Sequence, residues 1–246
     1  MRRILAALAL LLLAAPAHAI TGRAPPAALW AARPIVMVVD QNGDLCTGTA
    51  LAHDLVLTAA HCVMRPLRYH VKEFQTGESL PVERIVRHPR FNPDAYAESR
   101  ATADLALVKL ARPLPSVVVP AALGAARRVK DGETLTIAGF GTTADFTPDG
   151  LGVPRMATLA VTGHPGSLQI RLVDPKTRNR YHGLGACTGD SGGPAYDGLG
   201  PLIIGVVSWT TGPGNTEGCG GLTGLTPLIR YRSWIIDTAR KFGRHL

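Results

Sequence analysis

Short apolar runs separated by turn residues repeat along most of the chain. Each run is rich in β-branched or aliphatic residues and is bounded by Gly, Pro, Asn, Asp or Ser, which is typical of strands. Gln41-Asn42-Gly43-Asp44 indicates a hairpin turn. This spacing predicts an all-β barrel or sandwich rather than βαβ units. The predicted strands are 34–39, 55–59, 82–86, 105–110, 134–138, 157–161 and 202–208.

The N-terminus departs from this pattern. Arg2-Arg3 precede an almost unbroken run of Leu and Ala, and Ala17-His18-Ala19 is a small-residue cleavage site. Residues 1–19 are therefore predicted to be a signal peptide that is removed on export. No later stretch approaches the roughly 18 apolar residues of a membrane span. We expect one mature domain, 20–246, that is periplasmic or secreted and not stably inserted in a membrane.

The C-terminus also differs from the strand pattern. Over 232–246 the apolar residues recur at helical spacing, and cations lie near the end, where they favour the helix dipole. We predict a terminal amphipathic helix that packs its Trp234 side on the barrel. A helix that lies on a membrane surface is the alternative.

Composition and charge narrow the class of protein. With 46% hydrophobic and 18% charged residues among 246, the chain is not disordered. The net charge is +8, yet only 5% of residues are aromatic and the cations are dispersed, which argues against nucleic-acid binding. Solvated faces are the favoured interpretation, and weak attraction to anionic cell-envelope surfaces is the alternative. The basic groups are Arg84, Arg87 and Arg90, then Arg127, Arg128 and Lys130, then Lys176, Arg178 and Arg180.

Four cysteines form an even set in a chain predicted to be exported: Cys46, Cys62, Cys187 and Cys219. Disulfides are the default in an oxidising compartment, and the close Cys or His spacing of a zinc site is missing. The residues alone leave three pairings open.

Three segments carry candidate chemistry. In 186–194, Ser191 lies among glycines, which tolerate a turn whose backbone N–H groups converge on a developing oxyanion. In 56–62, His61 follows an apolar strand and precedes a half-cystine. In 103–110, Asp104 leads into an apolar strand, and a buried carboxylate there needs a partner such as the His61 imidazolium. A surface turn, a structural histidine and a strand-start turn are the respective alternatives.

The motifs T-A-A-H-C, D-L-A-L and G-D-S-G-G-P, in this order, resemble those of the trypsin- and chymotrypsin-like serine endopeptidases. The resemblance covers essentially the whole mature chain and implies two packed antiparallel β-barrels with the active site between them. It implies that Ser191 is the nucleophile, that His61 is the general base and acid, and that Asp104 orients His61. The N–H groups of Gly189 and Ser191 are implied to form the oxyanion hole.

The resemblance implies further pairs. It joins Cys46 to Cys62 and Cys187 to Cys219, and it makes Ser208-Trp209-Thr210 the strand that pairs with the substrate backbone, with Ser208 bonded to Asp104. It also implies that a free ammonium on Ile20 pairs with Asp190 to order the oxyanion loop. Because cleavage after Ala19 exposes Ile20, we expect signal peptidase itself to activate the enzyme.

The same resemblance implies which residues line the specificity pocket. Gly185 falls at the floor with Ala186 beside it, and Thr210 and Thr223 fall on the walls, so no acid is present and the slot is narrow. We expect small or medium uncharged residues before the scissile bond. Protein or peptide substrates are the expected partners, and no cofactor or metal is expected, because Glu73 and Glu78 are too few for a calcium site. A non-catalytic binding protein and a serine esterase or transpeptidase are the competing functions.

Overall fold

The computed structural model describes residues 20–198 and 200–246, so the predicted signal peptide, 1–19, lies outside the described residues. The described chain forms two closed barrels of antiparallel strands packed against each other. This architecture confirms the predicted fold class.

The first barrel closes in the strand order β1-β2-β3-β6-β5-β4. Successive residues of a strand point to opposite faces, and in β1 both faces are buried. Val36 and Val38 pack inside the barrel, whereas Ile35 and Met37 pack in the core between the two barrels. This double burial explains why the strand is apolar without interruption from Ile35 to Val39. The strands are β1 (Ile35–Asp40), β2 (Leu45–Ala52), β3 (Leu55–Thr58), β4 (Tyr69–Lys72), β5 (Ser79–Arg87) and β6 (Ala106–Leu110).

The second barrel is a ring of β8, β9, β10, β13, β12 and β11, closed by pairing of β11 with β12. The short β7 lies outside the ring and pairs with β12 in parallel. The strands are β7 (Ala122–Leu123), β8 (Thr134–Gly139), β9 (Arg155–Gly163), β10 (Ile170–Val173), β11 (Pro194–Tyr196), β12 (Leu202–Thr210) and β13 (Leu222–Pro227).

All seven predicted strands occur, with ends shifted by a few residues. The sequence reading missed β2, β4, β7, β10, β11 and β13. β7 and β11 are only two and three residues long, and β2 and β13 carry interior glycines and threonines that weaken the apolar signal. These strands form because the neighbouring strands supply hydrogen-bond partners for them.

Helices are few and lie at the edges of the barrels. The helices are α1 (Leu29–Ala32), α2 (Pro93–Ala97) and α3 (Arg232–Lys241). The helix α3 is the predicted C-terminal helix, but it ends at Lys241 rather than at the last residue. It buries Ile235 and Ala239, and the Trp234 ring packs edge-on against His88 with 4.8 Å between ring centroids. This helix is therefore part of the core. Within the described chain, no helix has the length and apolarity needed to cross a membrane.

The disulfides pair Cys46 with Cys62 and Cys187 with Cys219. The first bridge joins β2 to the turn that carries His61. The second joins the segment before Ser191 to the loop between β12 and β13. Both bridges therefore brace segments that carry the candidate catalytic residues.

Candidate active site

His61 and Asp104 meet because their strands are neighbours. His61 begins a 3-10 turn shortly after β3, and Asp104 stands just before β6. These strands are antiparallel, with Thr58 opposite Ala106, so the end of one lies beside the start of the other. The apolar runs of both strands are buried and fix this edge of the first barrel.

The Asp104 carboxylate is held by three donors and is only 1% exposed. The His61 backbone N–H donates to Oδ1 at 2.9 Å. His61 Nδ1 donates to Oδ2 at 2.7 Å, and Ser208 Oγ donates to the same oxygen at 2.6 Å. A carboxylate accepts only, so the proton of a neutral His61 stays on Nδ1. His61 Nε2 is then the atom free to accept a proton.

Tyr96 covers one face of His61 and was missed by the sequence reading. The two rings stack with centroids 4.4 Å apart and an interplanar angle of 12°. Burial, with a contribution from the Asp104 charge, raises the pKa of Tyr96 to about 12, so its hydroxyl stays neutral at physiological pH. Tyr96 lies on α2, where Asn92 accepts hydrogen bonds from two backbone N–H groups and Pro93 occupies the first turn. Asn92-Pro93 was the available signal for this helix.

Ser191 lies on a loop of the second barrel and faces the first. The Thr47 N–H donates to the Ser191 carbonyl at 2.8 Å. The same carbonyl lies 3.7 Å from Cys62 Sγ, which lies 3.7 Å from His61 Nε2. The structure therefore brings Ser191 close to the Nε2 edge of His61, although among the described residues no hydrogen bond links the two side chains. The three motif residues meet at the boundary between the barrels.

The loop before Ser191 presents backbone donors. The Thr142 N–H donates to the Thr188 carbonyl at 2.8 Å. The Thr188 carbonyl and the Gly189 N–H belong to the same planar trans peptide, in which the C=O and N–H point in opposite directions. Because the carbonyl faces Thr142, the Gly189 N–H points away from Thr142. Gly189 has a φ of 96°, a conformation that strains other residues. Over the described part of the chain, the N–H groups of Gly189 and Ser191 have no protein acceptor, so both are available to an oxyanion.

Asp190 is a fully buried carboxylate. The Gly141 N–H donates to Oδ1 and the Cys187 N–H to Oδ2, both at 2.8 Å. Burial raises its pKa to about 7, against the lowering effect of these two bonds. A Cβ on Gly139 would lie 2.2 Å from Oδ1, so glycine is required for the carboxylate to fit. Within the described residues no cation pairs with Asp190, and an ionised acid in this position is costly.

The first described residues pack in the second barrel. Ile20 is completely buried, and the Thr21 N–H donates to the Gly185 carbonyl at 3.1 Å. Thr21 Oγ1 also lies 3.0 Å from Nε2 of His182. Ile20 has a φ of 47°, a left-handed conformation that β-branched residues rarely adopt. The segment is anchored, and its first described residue has a strained backbone conformation.

The predicted specificity-pocket residues lie together. Thr210 and Thr223 are opposite each other on β12 and β13. Thr210 Oγ1 lies 2.8 Å from the Ala186 carbonyl and 3.0 Å from the Leu222 carbonyl. The Ala186 N–H donates to Thr223 Oγ1 at 2.9 Å. A Cβ on Gly185 would lie 3.4 Å from the same oxygen. These bonds join Thr210 and Thr223 to the segment that contains Ala186.

The carboxylates of Glu73 and Glu78 have partners other than a metal ion. Glu73 accepts hydrogen bonds from the N–H groups of Gln75 and Thr76 at 2.9 and 2.7 Å. Glu78 forms an ion pair with Arg112. Neither carboxylate is oriented to share a cation, and the expectation that the protein holds no metal stays a prediction.

Comparison with known proteins places this geometry in a family. The family model described as Trypsin matches residues 22–235. The chain belongs to the trypsin family. The family consists of serine proteases, which are hydrolases, so the predicted family and enzyme class are confirmed.

Individual relatives of this trypsin-family chain match most of its length. Human kallikrein-7 is 29% identical over 225 residues, covering 84% of this chain and 82% of the relative. Rat trypsin-4 is 29% identical over 215 residues, covering 78% of this chain and 79% of the relative. The solved structure of neuropsin, a serine protease expressed in the limbic system of mouse brain, superposes with a TM-score of 0.71 at 22% identity. It covers 88% of this chain and 98% of that structure, which supports the fold.

Proposed function

We propose that the protein is an exported serine endopeptidase that cleaves after small or medium uncharged residues through an acyl-enzyme. The observation that carries the proposal is the bonded set of Ser208, Asp104 and His61, which leaves Nε2 to accept a proton on the side where Cys62 contacts both Nε2 and the Ser191 carbonyl. The unoccupied N–H groups of that loop support the same chemistry. A binding protein has no need for these groups to be held together.

In the proposed mechanism, Ser191 Oγ attacks the scissile carbonyl and His61 Nε2 takes its proton. Asp104 stabilises the resulting imidazolium through the bond at Nδ1. The N–H groups of Gly189 and Ser191 stabilise the oxyanion of the tetrahedral intermediate. His61 then gives the proton to the leaving amine, the acyl-enzyme forms, and a water activated by His61 releases the product in the same way.

The pocket geometry supports the proposed specificity. The substrate backbone is proposed to pair with the Ser208–Thr210 segment of β12. This pairing directs the side chain of the residue before the scissile bond toward Gly185. Thr210 and Thr223 fill the space that a large side chain needs, and Ala186 and Gly185 supply no charge to attract Lys or Arg. Small or medium uncharged side chains therefore fit this site without moving Thr210 or Thr223.

Activation is proposed to follow directly from cleavage after Ala19. The freed Ile20 ammonium would pair with the buried carboxylate of Asp190, which needs a cation to ionise. Cleavage also removes the strain at Ile20, because a terminal residue has no φ. The proposed signal peptide at 1–19 then serves as both an export signal and an activation segment.

A fluorophosphonate probe and a peptide library test this proposal together. Correctly processed protein should be labelled on Ser191, and His61→Ala should abolish the labelling although it leaves Ser191 in place. The library should show cleavage after residues such as Ala, Val or Thr. Turnover of esters without peptides would show an esterase instead, and dominant cleavage after Arg or Lys would contradict the proposed pocket.

N-terminal sequencing tests the activation step. Active enzyme recovered after export should begin at Ile20. Protein that retains residues before Ile20 should be nearly inactive. Full activity in such protein would contradict the proposed Ile20–Asp190 pair.

A further inference from the structure

A basic cavity opens beside the second barrel, away from the residues proposed for catalysis. Its volume is about 550 Å³. Its floor includes Val129, Ile170 and Ile204, which are buried members of the core of that barrel. Its rim carries the exposed cations Arg128 and Lys130, together with Arg230.

Some charged side chains around the cavity rim have ion-pair partners and others do not. Arg127 is already paired with Glu133 and Asp197, each at 2.7 Å. Asp131 lies 3.4 Å from His164. By contrast, within the residues that the structure describes, the side chains of Arg128 and Lys130 form no ion pair. The cavity therefore combines an apolar floor with available positive charge, which suits a carboxylate carried on an apolar or aliphatic stem.

The cavity shares one lining residue with a space beside the proposed substrate groove. Gln169 lines the cavity, and it also lines a second space of about 430 Å³ that borders Tyr96 and Trp209. Gln169 stands directly before β10, at the end of the connection of residues 164–169 that follows β9. Gln169 therefore lies between the space that borders Trp209 and the cavity with the basic rim.

We propose that this cavity binds acidic side chains of the substrate at positions four or more residues before the scissile bond. The proposal rests on the proposed function, since it assigns a role to a surface next to the same groove. The segment Ser208–Thr210 accounts for about three substrate residues, so the fourth and earlier residues reach Gln169 and the cavity. Glutamate fits best, because its methylene groups can contact the floor while its carboxylate reaches Arg128 or Lys130.

Three fluorogenic peptides provide the test. A short peptide ends three residues before the scissile bond, and two longer peptides add three Glu or three Gln upstream. The wild-type enzyme should cleave the Glu peptide with a kcat/KM about fivefold above that of the Gln peptide, as expected from a few partly exposed charge pairs. This ratio should approach one at high salt, where exposed charges are screened.

Charge-reversal variants locate the effect. Arg128→Glu combined with Lys130→Glu should bring the Glu-to-Gln ratio to one or below and leave cleavage of the short peptide unchanged. The matched control, Arg68→Glu with Lys72→Glu, makes the same charge change on exposed residues of the first barrel and should keep the ratio. If the reversed pair misfolds, as measured by its melting temperature, Arg128→Gln with Lys130→Gln serves in its place.

The outcomes separate this proposal from the proposed function. A wild-type ratio of one with normal cleavage of the short peptide would overturn the cavity proposal alone. A ratio of one together with tight, cavity-dependent binding of dextran sulfate would reassign the cavity to polyanionic polysaccharide and would also overturn it. If the short peptide is not cleaved, the proposed function fails. Fluorescence polarisation of the labelled Glu peptide, compared between wild type and the double variant, then decides whether the cavity binds acidic peptide.

Discussion

At the scale of single residues, the ring of His61 is restrained on its edge by Asp104 and on its face by Tyr96. The bond at Nδ1 is 2.7 Å and the stacked centroids are 4.4 Å apart. A stacked aromatic ring limits rotation of the imidazole about its side-chain bonds. Tyr96 is therefore a positioning residue for the proposed general base, and its hydroxyl has no role in that restraint.

This restraint predicts different results for two substitutions of Tyr96. Tyr96→Ala should lower kcat several-fold, because loss of the ring contact, worth about 1 kcal/mol, lets His61 leave its productive orientation. Tyr96→Phe keeps the stack and should retain nearly full kcat. Steady-state kinetics on the short peptide measures both. Equal kcat for all three proteins would show that Asp104 alone orients His61.

At the scale of elements, strands β12 and β13 set the proposed specificity through their register. Thr210 stands opposite Thr223, and Trp209 stands opposite Gly224. A Cβ on Gly224 would lie 1.9 Å from a Trp209 ring atom, so the glycine is what allows the indole to lie across β13. Thr210 and Thr223 then fill the face of β12 and β13 that borders the proposed specificity pocket.

Replacing both threonines should enlarge the pocket. Thr210→Gly with Thr223→Gly removes the side chains and the bonds to Ala186, so we expect kcat/KM for Phe before the scissile bond to rise at least tenfold relative to Ala. Loss of these bonds should also cost about 1 kcal/mol each in stability. Cleavage of matched Phe and Ala peptides measures the switch.

Thr226→Val is the matched control on the same strand. Thr226 Oγ1 is buried and has no hydrogen-bond partner in the described part of the chain, so its loss should leave both specificity and stability unchanged or slightly improved. An unchanged Phe-to-Ala ratio in the double glycine variant would show that other residues close the pocket.

The sequence allowed the elements with continuous apolar runs and the motif residues to be predicted, because both are local signals. Ser191, His61 and Asp104 each stand in a distinctive short motif, and β1 and β6 are apolar except for Asp40 and Lys109. Tyr96 was missed because its contact with His61 depends on how the loop before Asp104 folds. The basic cavity was missed for a similar reason: Arg128 and Lys130 are neighbours in the sequence, but Ile170, Ile204 and Arg230 join them around one space only in three dimensions.

At the scale of the whole molecule, an ion-pair cluster joins the C-terminus to the first barrel. Asp54, in the turn before β3, forms an ion pair with Arg244, which lies beyond the end of α3. Lys109 Nζ, on β6, lies 3.0 Å from Oδ2 of Asp54. Hydrogen bonds from these cations, Arg244 first, lower the pKa of Asp54 to about 2 against the opposing effect of burial.

This cluster predicts acid sensitivity. A carboxyl with a folded pKa below its unfolded value of 3.8 stabilises the fold above that value, and the contribution is lost as pH falls toward 2. Asp54→Asn should therefore reduce the free energy of unfolding by about 1 to 2 kcal/mol at pH 6, allowing for the partly exposed Arg244. The difference from wild type should narrow below pH 3. Urea unfolding at both pH values checks this, and a constant difference would contradict it.

In the proposed activation, the buried Asp190 couples proteolytic processing to the stability of the whole molecule. While Ile20 is still joined to Ala19, no ammonium is available, and burial raises the pKa of Asp190 to about 7 from 3.8. An acid with a raised folded pKa contributes stability at low pH that is lost as pH rises through the folded value. The unprocessed chain should therefore lose stability between about pH 4 and pH 7, by up to about 4 kcal/mol.

Processing should remove most of that loss, because the Ile20 ammonium then pairs with the ionised carboxylate. The measurement is the melting temperature between pH 4 and pH 8 for processed and unprocessed Ser191→Ala protein, which cannot digest itself. Adding Asp190→Asn to the unprocessed form should flatten its curve, since the amide has no charge to bury. Processed and unprocessed curves that run parallel across this range would show that Asp190 does not receive the new N-terminus, and activation would then need another explanation.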